Sequence, residues 1–277
     1  MITVLIVNGK RFLVLLPGLG AAYLAAKDVY PLFDRRLPAA PAILFTYLLT
    51  AYVLIPGVLR FIRLIVRPKH IPVYCTTPDG FACDPMNIGI VGTRTELIRA
   101  MKTAGWQMAD KRTPKTILKM IIHIVLKQPY PSAPFSNLYL FGRSQDLGFQ
   151  IPVDDNPSHR HHVRFWGVVD VDDPQYREHT RFWKRHHRSP ISGKVLWLGA
   201  ASKDAGVGII SHNAQFTHMI HPDTDAEREL IVKQLKSIGR VARTRTVTLV
   251  KPYRLENRVF TGYLLTDGKM KILTLKS

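Results

Sequence analysis

The sequence predicts an α+β fold: an N-terminal transmembrane helix or helix pair, followed by a domain with a mixed or antiparallel sheet and about three helices. Three observations favour this class. The stretch 39–59 contains no charged residue, which is typical of a membrane-spanning helix. In the rest of the chain, strand-like segments outnumber helical ones and rarely alternate with them, as in α+β domains. The length of 277 residues is enough for one anchor and one domain of ordinary size.

The first 67 residues are predicted to form the membrane anchor. At a rise of about 1.5 Å per residue, a helix over 39–59 would be roughly 30 Å long, which matches the hydrocarbon core of a bilayer. A second candidate span covers 12–33, but its apolar part ends before Lys27 and Asp28 and also fits a signal peptide. The number of spans, one or two, therefore stays open. A buried helix of a soluble protein is the alternative for 39–59.

The basic residues around these spans predict their orientation. With two spans and both ends in the cytoplasm, six basic residues would face inward and three outward, in agreement with the positive-inside rule. The domain that follows would then be cytoplasmic. With a single span the difference is one charge, which does not decide the orientation.

The chain is strongly basic, with a net charge of +19. Eight of the 39 basic residues and two of the 20 acidic residues lie in 1–67, so the remainder carries 31 basic and 18 acidic residues, a net charge of +13. This charge predicts an anionic neighbour, such as phospholipid headgroups, phosphorylated small molecules or nucleic acid. For a domain tethered to a membrane, we favour membrane lipid over nucleic acid.

The segment 68–84 reads as a linker, and the domain follows over 85–277. The linker contains both cysteines of the chain, Cys75 and Cys83, on either side of a turn-forming Thr-Pro-Asp-Gly sequence. Two cysteines alone do not make a structural zinc site. Whether they form a disulfide depends on the redox state of their compartment.

Three helices of the domain are predicted from their N-terminal signals. Capping boxes at Thr93–Glu96 and Thr224–Glu227 begin helices that end near residues 104 and 237. Pro114 begins a further helix over 115–127. One face of this helix is very apolar: Ile117, Leu118, Ile121, Ile122 and Val125. We expect that face to pack either on the sheet or on a membrane surface.

The strands of the domain are predicted from short apolar or β-branched runs that are bounded by turn residues. They cover 86–92, 138–141, 147–153, 163–171, 194–201, 207–211, 241–250, 257–265 and 270–275. We expect 138–141 to pair with 147–153. The last two segments are expected to form a closing hairpin.

Six stretches of the domain have the order and spacing of one known family. They are 84–92 (DPMNIGIVG), 128–131 (QPYP), 137–150 (NLYLFGRSQDLGFQ), 160–166 (RHHVRFW), 197–201 (WLGAA) and 223–228 (DTDAER). Together they resemble the LssY C-terminal domain, a family named after a proposed component of a bacterial type I secretion cluster. The resemblance implies an integral protein of the bacterial inner membrane, with envelope or secretion proteins as partners. It implies no particular reaction.

The sequence departs from this family at two places. The segment 176–188 (YREHTRFWKRHHR) resembles an inserted basic stretch, and its aromatic residues among cations suit a membrane interface or nucleic-acid stacking. His221 stands where the family more often has an acidic residue. This difference weakens an acidic metal site at that position.

One candidate site is a set of metal ligands between 211 and 227. His218 and His221 are neutral-imidazole ligands, and Asp223 adds a carboxylate. A divalent metal held in this way, with an open position for water, would support hydrolysis. The alternative is that Asp223 only begins a helix, where its charge is stabilised by the helix dipole.

A second candidate site is the basic run at 159–164. If a strand begins here, His162 and Arg164 lie on one face, where a titratable imidazole beside a cation suits phosphate binding and general acid–base catalysis. The candidate catalytic residues are His161, His162, Arg164 and Asp204, the last in a predicted loop, and the candidate binding residues are Arg143, Asp146 and Arg160. The alternatives are a solvated sheet face and, for Arg143 and Asp146, a simple ion pair.

Two functions follow from these patterns. The first is a membrane-anchored basic accessory or binding domain of the bacterial envelope, which engages anionic lipid or an acidic partner. The second is a metal-assisted hydrolase that acts on a phosphate-bearing substrate. The sequence contains no P-loop, no Gly-x-Ser-x-Gly elbow and no His-Glu-x-x-His motif, which argues against those enzyme classes.

Overall fold

A computed structural model describes residues 20, 23–55, 57–58, 72–78, 80, 82–126, 128–153, 159–170, 193–209, 216–256 and 263–276. The chain divides into two compact units. The N-terminal unit contains residues 1–67 and two short later segments, 78–81 and 213–215. The remaining residues form the second unit, which we call the sheet unit.

The described residues of the N-terminal unit include two short α-helices. A π-helical turn over Ala25–Val29 leads into α1 (Tyr30–Asp34), and α2 (Ala39–Leu49) continues into a second π-helical turn over Thr50–Leu54. The extended backbone of Pro38 begins α2. Large apolar side chains of α2 and its π-helical turn are exposed: Ile43, Leu44, Phe45, Leu48, Tyr52 and Val53.

Among the described residues, neither predicted span is seen as one continuous α-helix. The helix predicted over 39–59 is interrupted, because α2 has 11 residues and its hydrogen bonding then changes to the π-helical type. The span predicted over 12–33 lies partly outside the described residues. Among those that are described, no helix is both long and apolar enough to cross a membrane.

The sheet unit is built on an eight-stranded mixed sheet in the order β11-β14-β3-β9-β8-β7-β4, with β10 added to β9. In this sheet β14 and β3 run parallel, and the other neighbouring strands run antiparallel. The strands are β3 (Ile88–Gly92), β4 (Gln107–Met108), β7 (Leu147–Pro152), β8 (Arg160–Asp170), β9 (Val195–Ile209), β10 (Phe216–Ile220), β11 (Val241–Thr248) and β14 (Lys269–Leu275). The mixed sheet that the sequence predicts is therefore confirmed.

A smaller sheet of four antiparallel strands covers part of one face, in the order β2-β1-β5-β6. Its strands are β1 (Tyr74–Thr76), β2 (Ala82–Pro85), β5 (Tyr139–Leu140) and β6 (Arg143–Ser144), and a separate ribbon consists of β12 (Tyr253–Glu256) and β13 (Tyr263–Thr266). The segment 68–84, which we expected to be a linker, therefore contains two strands.

Three described helices belong to the sheet unit: α3 (Arg94–Thr103), α4 (Pro114–Val125) and α5 (Thr224–Ser237). The capping box of α3 is confirmed, with reciprocal hydrogen bonds between Thr93 and Glu96. The capping box predicted at Thr224–Glu227 is wrong. The residue that caps α5 is Asp223, which accepts hydrogen bonds from the N–H groups of Asp225 and Ala226.

The large sheet has an apolar core on each face. On one face α3 and α5 pack on the sheet, through residues such as Leu97, Met101, Ile231 and Leu235. On the other face Trp166 and Leu198 pack with Leu138 and Leu140 of the segment that forms the small sheet. These alternating strand side chains hold three layers together, in the order helices, large sheet, small sheet.

Three predicted strand arrangements are wrong. The segment at 138–141 pairs with β1 and β6, and β7 pairs with β8 instead. The segments at 194–201 and 207–211 are one continuous strand, β9. The expected closing hairpin separates, because β13 pairs with β12 while β14 lies between β11 and β3. The first and third errors concern pairing, because strands distant in sequence compete with the expected neighbour.

Asn87 connects the large sheet to α5. Its fully buried amide donates hydrogen bonds to the carbonyl oxygens of Ala201 (3.0 Å) and Thr224 (2.9 Å). Its side-chain oxygen accepts from the N–H of Ala201 at 3.0 Å. One side chain thus binds three backbone groups, two of Ala201 on β9 and one at the start of α5.

We expect Asn87→Ala to lower the free energy of unfolding by about 3 kcal/mol, because buried backbone groups would lose their partners. Chemical denaturation followed by tryptophan fluorescence measures this loss. Asn137→Ala is the matched control, since the Asn137 side chain accepts one long bond of 3.3 Å from Gln145. This control substitution should lower the free energy of unfolding by less than about 1 kcal/mol. Equal losses in the two variants would show that Asn87 does not have this role.

Candidate functional site

Strand β8 brings three of the predicted site residues to one face of the large sheet. Because side chains alternate along a strand, Arg160, His162 and Arg164 point to the same side. The register places Gln150 of β7 and Ser202 of β9 on either side of His162. All five side chains are buried. They lie on the face that carries the small sheet, since Ala200, opposite Arg164, belongs to the apolar core on that face.

Two aspartates pair with the arginines. Asp204 of β9 accepts a hydrogen bond of 2.8 Å from Nε of Arg160. Asp84 of β2 accepts one of 2.8 Å from Nη1 of Arg164, so this pair joins the small sheet to the large one. Asp84 is 0% exposed and Asp204 is 3% exposed. We call Asp84, Arg160, His162, Arg164 and Asp204 the ionic cluster.

His162 lies between the two carboxylates. Its Nδ1 is 3.2 Å from Oδ1 of Asp204, and its Nε2 is 3.6 Å from Oδ2 of Asp84. Neither contact has the geometry of a full hydrogen bond, so both ring nitrogens lack a hydrogen-bond partner. The attraction between His162 and the carboxylates is therefore mainly one of charge.

The surroundings change the pKa values of the cluster in opposite directions. Burial lowers the pKa of His162 and so does the charge of Arg164, but the carboxylates of Asp204 and Asp84 outweigh both and raise it above its ordinary value. Burial raises the pKa of Asp84, yet His162 and Arg164 lower it more strongly, so the net direction is downward. Both shifts favour the charged forms.

A phenyl ring covers the ionic cluster. Phe135 comes from the proline-containing segment 128–138, and its ring centroid is 4.6 Å from the guanidinium carbon of Arg164 and 5.4 Å from that of Arg160. The same ring lies directly over Gly148, where an added Cβ would be 2.3 Å from a ring carbon. A glycine is needed at 148 to let the ring approach the sheet so closely.

The sequence did not reveal three parts of this site: Asp84, Gln150 and Phe135. Gln150 accepts a hydrogen bond of 2.8 Å from Nη1 of Arg160 and donates one of 2.8 Å to the carbonyl oxygen of Ala133. Asp84 and Gln150 lie in stretches that carry the family resemblance, which was the only available signal. Their contacts join segments that are far apart in sequence.

His161 is not part of the ionic cluster, although it was predicted to be catalytic. It lies on the opposite face of β8, where its Nδ1 is 2.6 Å from Oε2 of Glu227 at the start of α5. The predicted loop around Asp204 is also wrong, because Asp204 lies within the long strand β9.

Arg143 and Asp146 form the simple ion pair that the sequence left as an alternative. Their side chains are 2.5 Å apart, and both also bind the backbone of Gly167. The carbonyl oxygen of Arg143 accepts a hydrogen bond from the indole N–H of Trp166. These contacts connect the turn after β5 to strand β8, away from the charged end of the site.

The predicted metal ligands have separate surroundings where they are described. Asp223 caps α5, and Nδ1 of the exposed His221 accepts a hydrogen bond of 3.3 Å from the N–H of Asp223. The side chain of His218 and the basic segment 176–188 lie outside the described residues. Within the part of the chain that the structure describes, no three His, Cys, Asp or Glu side chains are grouped to hold a metal ion. The divalent metal stays a prediction.

Both cysteines lie beside Asp84 and are free. The thiol of Cys75 donates to the backbone oxygen of Asp84 at 3.3 Å, and that of Cys83 to its carboxylate at 3.4 Å. Burial raises the pKa of both thiols well above the ordinary value, and the charge of Asp84 raises it further. Both cysteines are therefore weak nucleophiles in this state.

We expect His162→Gln to reduce the pH dependence of stability. The pKa of His162 is raised in the folded chain, so its contribution to stability is full below the unfolded value of about 6.5 and is lost as the pH rises through the folded value. The free energy of unfolding of the wild-type chain should therefore fall more steeply above pH 6.5 than that of the variant. Urea denaturation at a series of pH values measures both slopes.

Asp204→Asn provides the control for this measurement. It removes a carboxylate that raises the pKa of His162, and it should reduce the same slope while His162 is still present. Identical slopes in the wild-type chain and in both variants would contradict the assignment.

The comparisons with known proteins identify a family. A family model described as "LssY C-terminus" matches residues 68–171 and 167–270, which together cover more than half of the chain. No curated protein and no solved structure matches significantly. The matched region contains the ionic cluster, the small sheet and all three helices of the sheet unit. This chain belongs to the LssY C-terminal family.

Proposed function

We propose that this protein is a membrane-associated basic binding domain of the bacterial envelope, and that helix α4 binds it to anionic lipid. One observation carries the proposal: α4 presents an apolar stripe to the outside instead of to the sheet. We also propose that the N-terminal unit, with its exposed apolar side chains, is the membrane anchor of the chain. Envelope or secretion proteins are the further partners that the family resemblance implies.

The apolar stripe of α4 consists of Leu118, Ile121, Ile122 and Val125, which have the i, i+3, i+4, i+7 spacing of one helix face. Leu118 is 59% exposed and Val125 is 73% exposed. A soluble helix normally turns such a stripe toward the core. The sequence allowed two environments for this face, the sheet or a membrane surface, and its exposure favours the second.

The opposite side of α4 contacts the segments just before and just after the helix. His123 is 3.1 Å from the carbonyl oxygen of Pro129 through Nδ1, and its ring lies 5.0 Å from that of Tyr130. Tyr130 donates a hydrogen bond of 2.6 Å to Asp110, just before the helix. These contacts hold the side of α4 that bears His123 against the flanking segments, and the apolar stripe lies on the other side of the helix.

Basic residues lie at the N-terminal end of the stripe. Lys111, Arg112 and Lys115 are exposed around the first turn of α4. An exposed apolar stripe beside cations is typical of helices that lie in the headgroup region of a membrane. Each basic residue near an anionic surface contributes about 1 kcal/mol to binding. The net charge of +19 of the whole chain acts in the same direction.

A fluorescent label at position 121 tests the contact between α4 and lipid. We expect NBD on Ile121→Cys, in the full chain reconstituted into anionic vesicles, to emit at shorter wavelength and to be quenched by nitroxide lipids, because the apolar face enters the bilayer. The label on Lys233→Cys, at an exposed position of α5, should remain in water. The wild-type chain treated in the same way gives the background from Cys75 and Cys83. An aqueous spectrum at both positions would contradict the proposal.

Removing charge should weaken the contact without changing the stripe. Replacing Lys111, Arg112 and Lys115 together by glutamine is expected to weaken binding of α4 to anionic lipid by about 3 kcal/mol, or about 1 kcal/mol per charge. The NBD signal, measured against the anionic lipid fraction, gives this value.

Glutamine at Lys233, Lys251 and Lys276 is the matched control, since these three exposed lysines carry the same total charge elsewhere. If both triple variants weaken binding equally, general charge accounts for the attraction and α4 has no special role.

The metal-assisted hydrolase stays a prediction. The sheet separates His161 from His162, so these two side chains do not form one catalytic pair. The candidate metal ligand His218 has a side chain that the structure does not describe.

A further inference from the structure

The ionic cluster and the adjacent Ser202 contain buried polar atoms that the protein itself does not satisfy. In the described structure four such atoms lack a hydrogen-bond partner: Nε of Arg164, Oγ of Ser202 and both ring nitrogens of His162. These residues are 6%, 0% and 2% exposed, respectively. Because nearly all buried polar groups in native proteins are hydrogen-bonded, a concentration of unsatisfied ones calls for an external partner.

The three residues occupy neighbouring positions on one sheet face. His162 and Ser202 are directly opposite each other in the β8–β9 register, which puts their Cα atoms about 5 Å apart. Arg164 follows His162 by two residues on the same strand, at about 7 Å. A single group of a few ångströms can therefore reach all three side chains.

The chemistry of these atoms indicates what that group is. The guanidinium N–H of Arg164 and the hydroxyl of Ser202 can both donate hydrogen bonds, so the partner must be rich in acceptors. The ring nitrogens of His162 face Asp204 and Asp84, so this residue contributes charge. The two arginines of the cluster are balanced by Asp84 and Asp204, which they bind at 2.8 Å. The charge of protonated His162 is then left over, and it favours an anion over a neutral molecule.

We infer that the sheet face at Arg164, His162 and Ser202 is a binding site for one phosphate group, closed in this state by the ring of Phe135. Arg164 and Ser202 donate to phosphate oxygens, and His162 supplies the neutralising charge. Arg160 donates hydrogen bonds to Asp204, Gln150 and Ala133 and holds the framework. The phosphate is either free or the monoester headgroup of a lipid. This inference goes beyond the proposed contact of α4 with the membrane and does not depend on it.

Phe135 acts as the cover of the site. Its ring lies against Arg160, Arg164 and His162, the last at a centroid distance of 5.8 Å, and the residue is 7% exposed. Gly148 provides no side chain below the ring, so no side chain of this residue holds the ring in place from the sheet. Movement of this one side chain exposes the face where the unsatisfied donors lie.

Isothermal titration of the full chain in neutral detergent with inorganic phosphate tests the inference. We expect one phosphate to bind per chain, and Ser202→Ala to bind about tenfold more weakly because one hydrogen bond to a charged group is lost. Ser237→Ala is the matched control, since the exposed Ser237 hydroxyl donates only to the carbonyl oxygen of Gln234. This control should bind as the wild-type chain does. Phe135→Ala should accelerate association in stopped-flow measurements.

Two results would overturn the inference. One is the absence of phosphate binding in both the wild-type chain and Phe135→Ala, which would show that water or nothing occupies the site. The other is equal affinity in Ser202→Ala and the wild-type chain. Neither result affects the spectrum of the label at 121, so failure of this site and failure of the lipid proposal are distinguishable.

Competition in mixed micelles identifies the source of the phosphate. Phosphatidic acid carries a phosphate monoester, whereas phosphatidylglycerol carries a diester with the same lipid tails. If the natural ligand is a lipid headgroup, phosphatidic acid displaces inorganic phosphate and phosphatidylglycerol does not. If the ligand is free phosphate, neither lipid displaces it.

Discussion

The charged hydrogen bond between Asp84 and Arg164 is the contact on which the arrangement of the sheet unit depends. It joins residues 80 positions apart and connects the small sheet to the centre of the large one, with both partners almost completely buried. A buried charge without its partner is strongly destabilising, so this pair fixes how the two sheets face each other. The position of His162 between two carboxylates, and the place of Phe135 above the arginines, follow from that arrangement.

The two faces of the large sheet have different roles. On the helix side, His161 pairs with Glu227, and the core of α3 and α5 is mainly apolar. On the side of the small sheet, the apolar core gives way to buried charges toward the end of β8 where Arg160 lies. A shift of one residue in the β8 register would exchange these faces and place the arginines among the helices. The same alternation thus provides both the core that stabilises the fold and the polar site.

Local signals in the sequence predicted the helices and the α+β class, and they failed where distant segments meet. The apolar spacing from Ile117 to Val125 predicts α4 and its stripe because both depend only on helical periodicity. The grouping of His162, Arg164 and Asp204 was partly visible, since the alternation along one strand predicts a shared face. Asp84 could not be placed, because its role depends on the pairing of β1 with β2 and β5. The capping role of Glu227 was predicted wrongly because its side chain binds His161 instead.

Spin-label accessibility along α4 tests the central claim, that this helix lies in the membrane surface with its apolar stripe toward lipid. Single labels would be placed through the helix in the full chain, reconstituted into anionic vesicles, and their contact with oxygen and with a water-soluble nickel complex would be compared. The account predicts that oxygen contact varies with the helical period of 3.6 residues and is highest at Leu118, Ile121 and Val125. High nickel contact at those three positions, without this period, would contradict it.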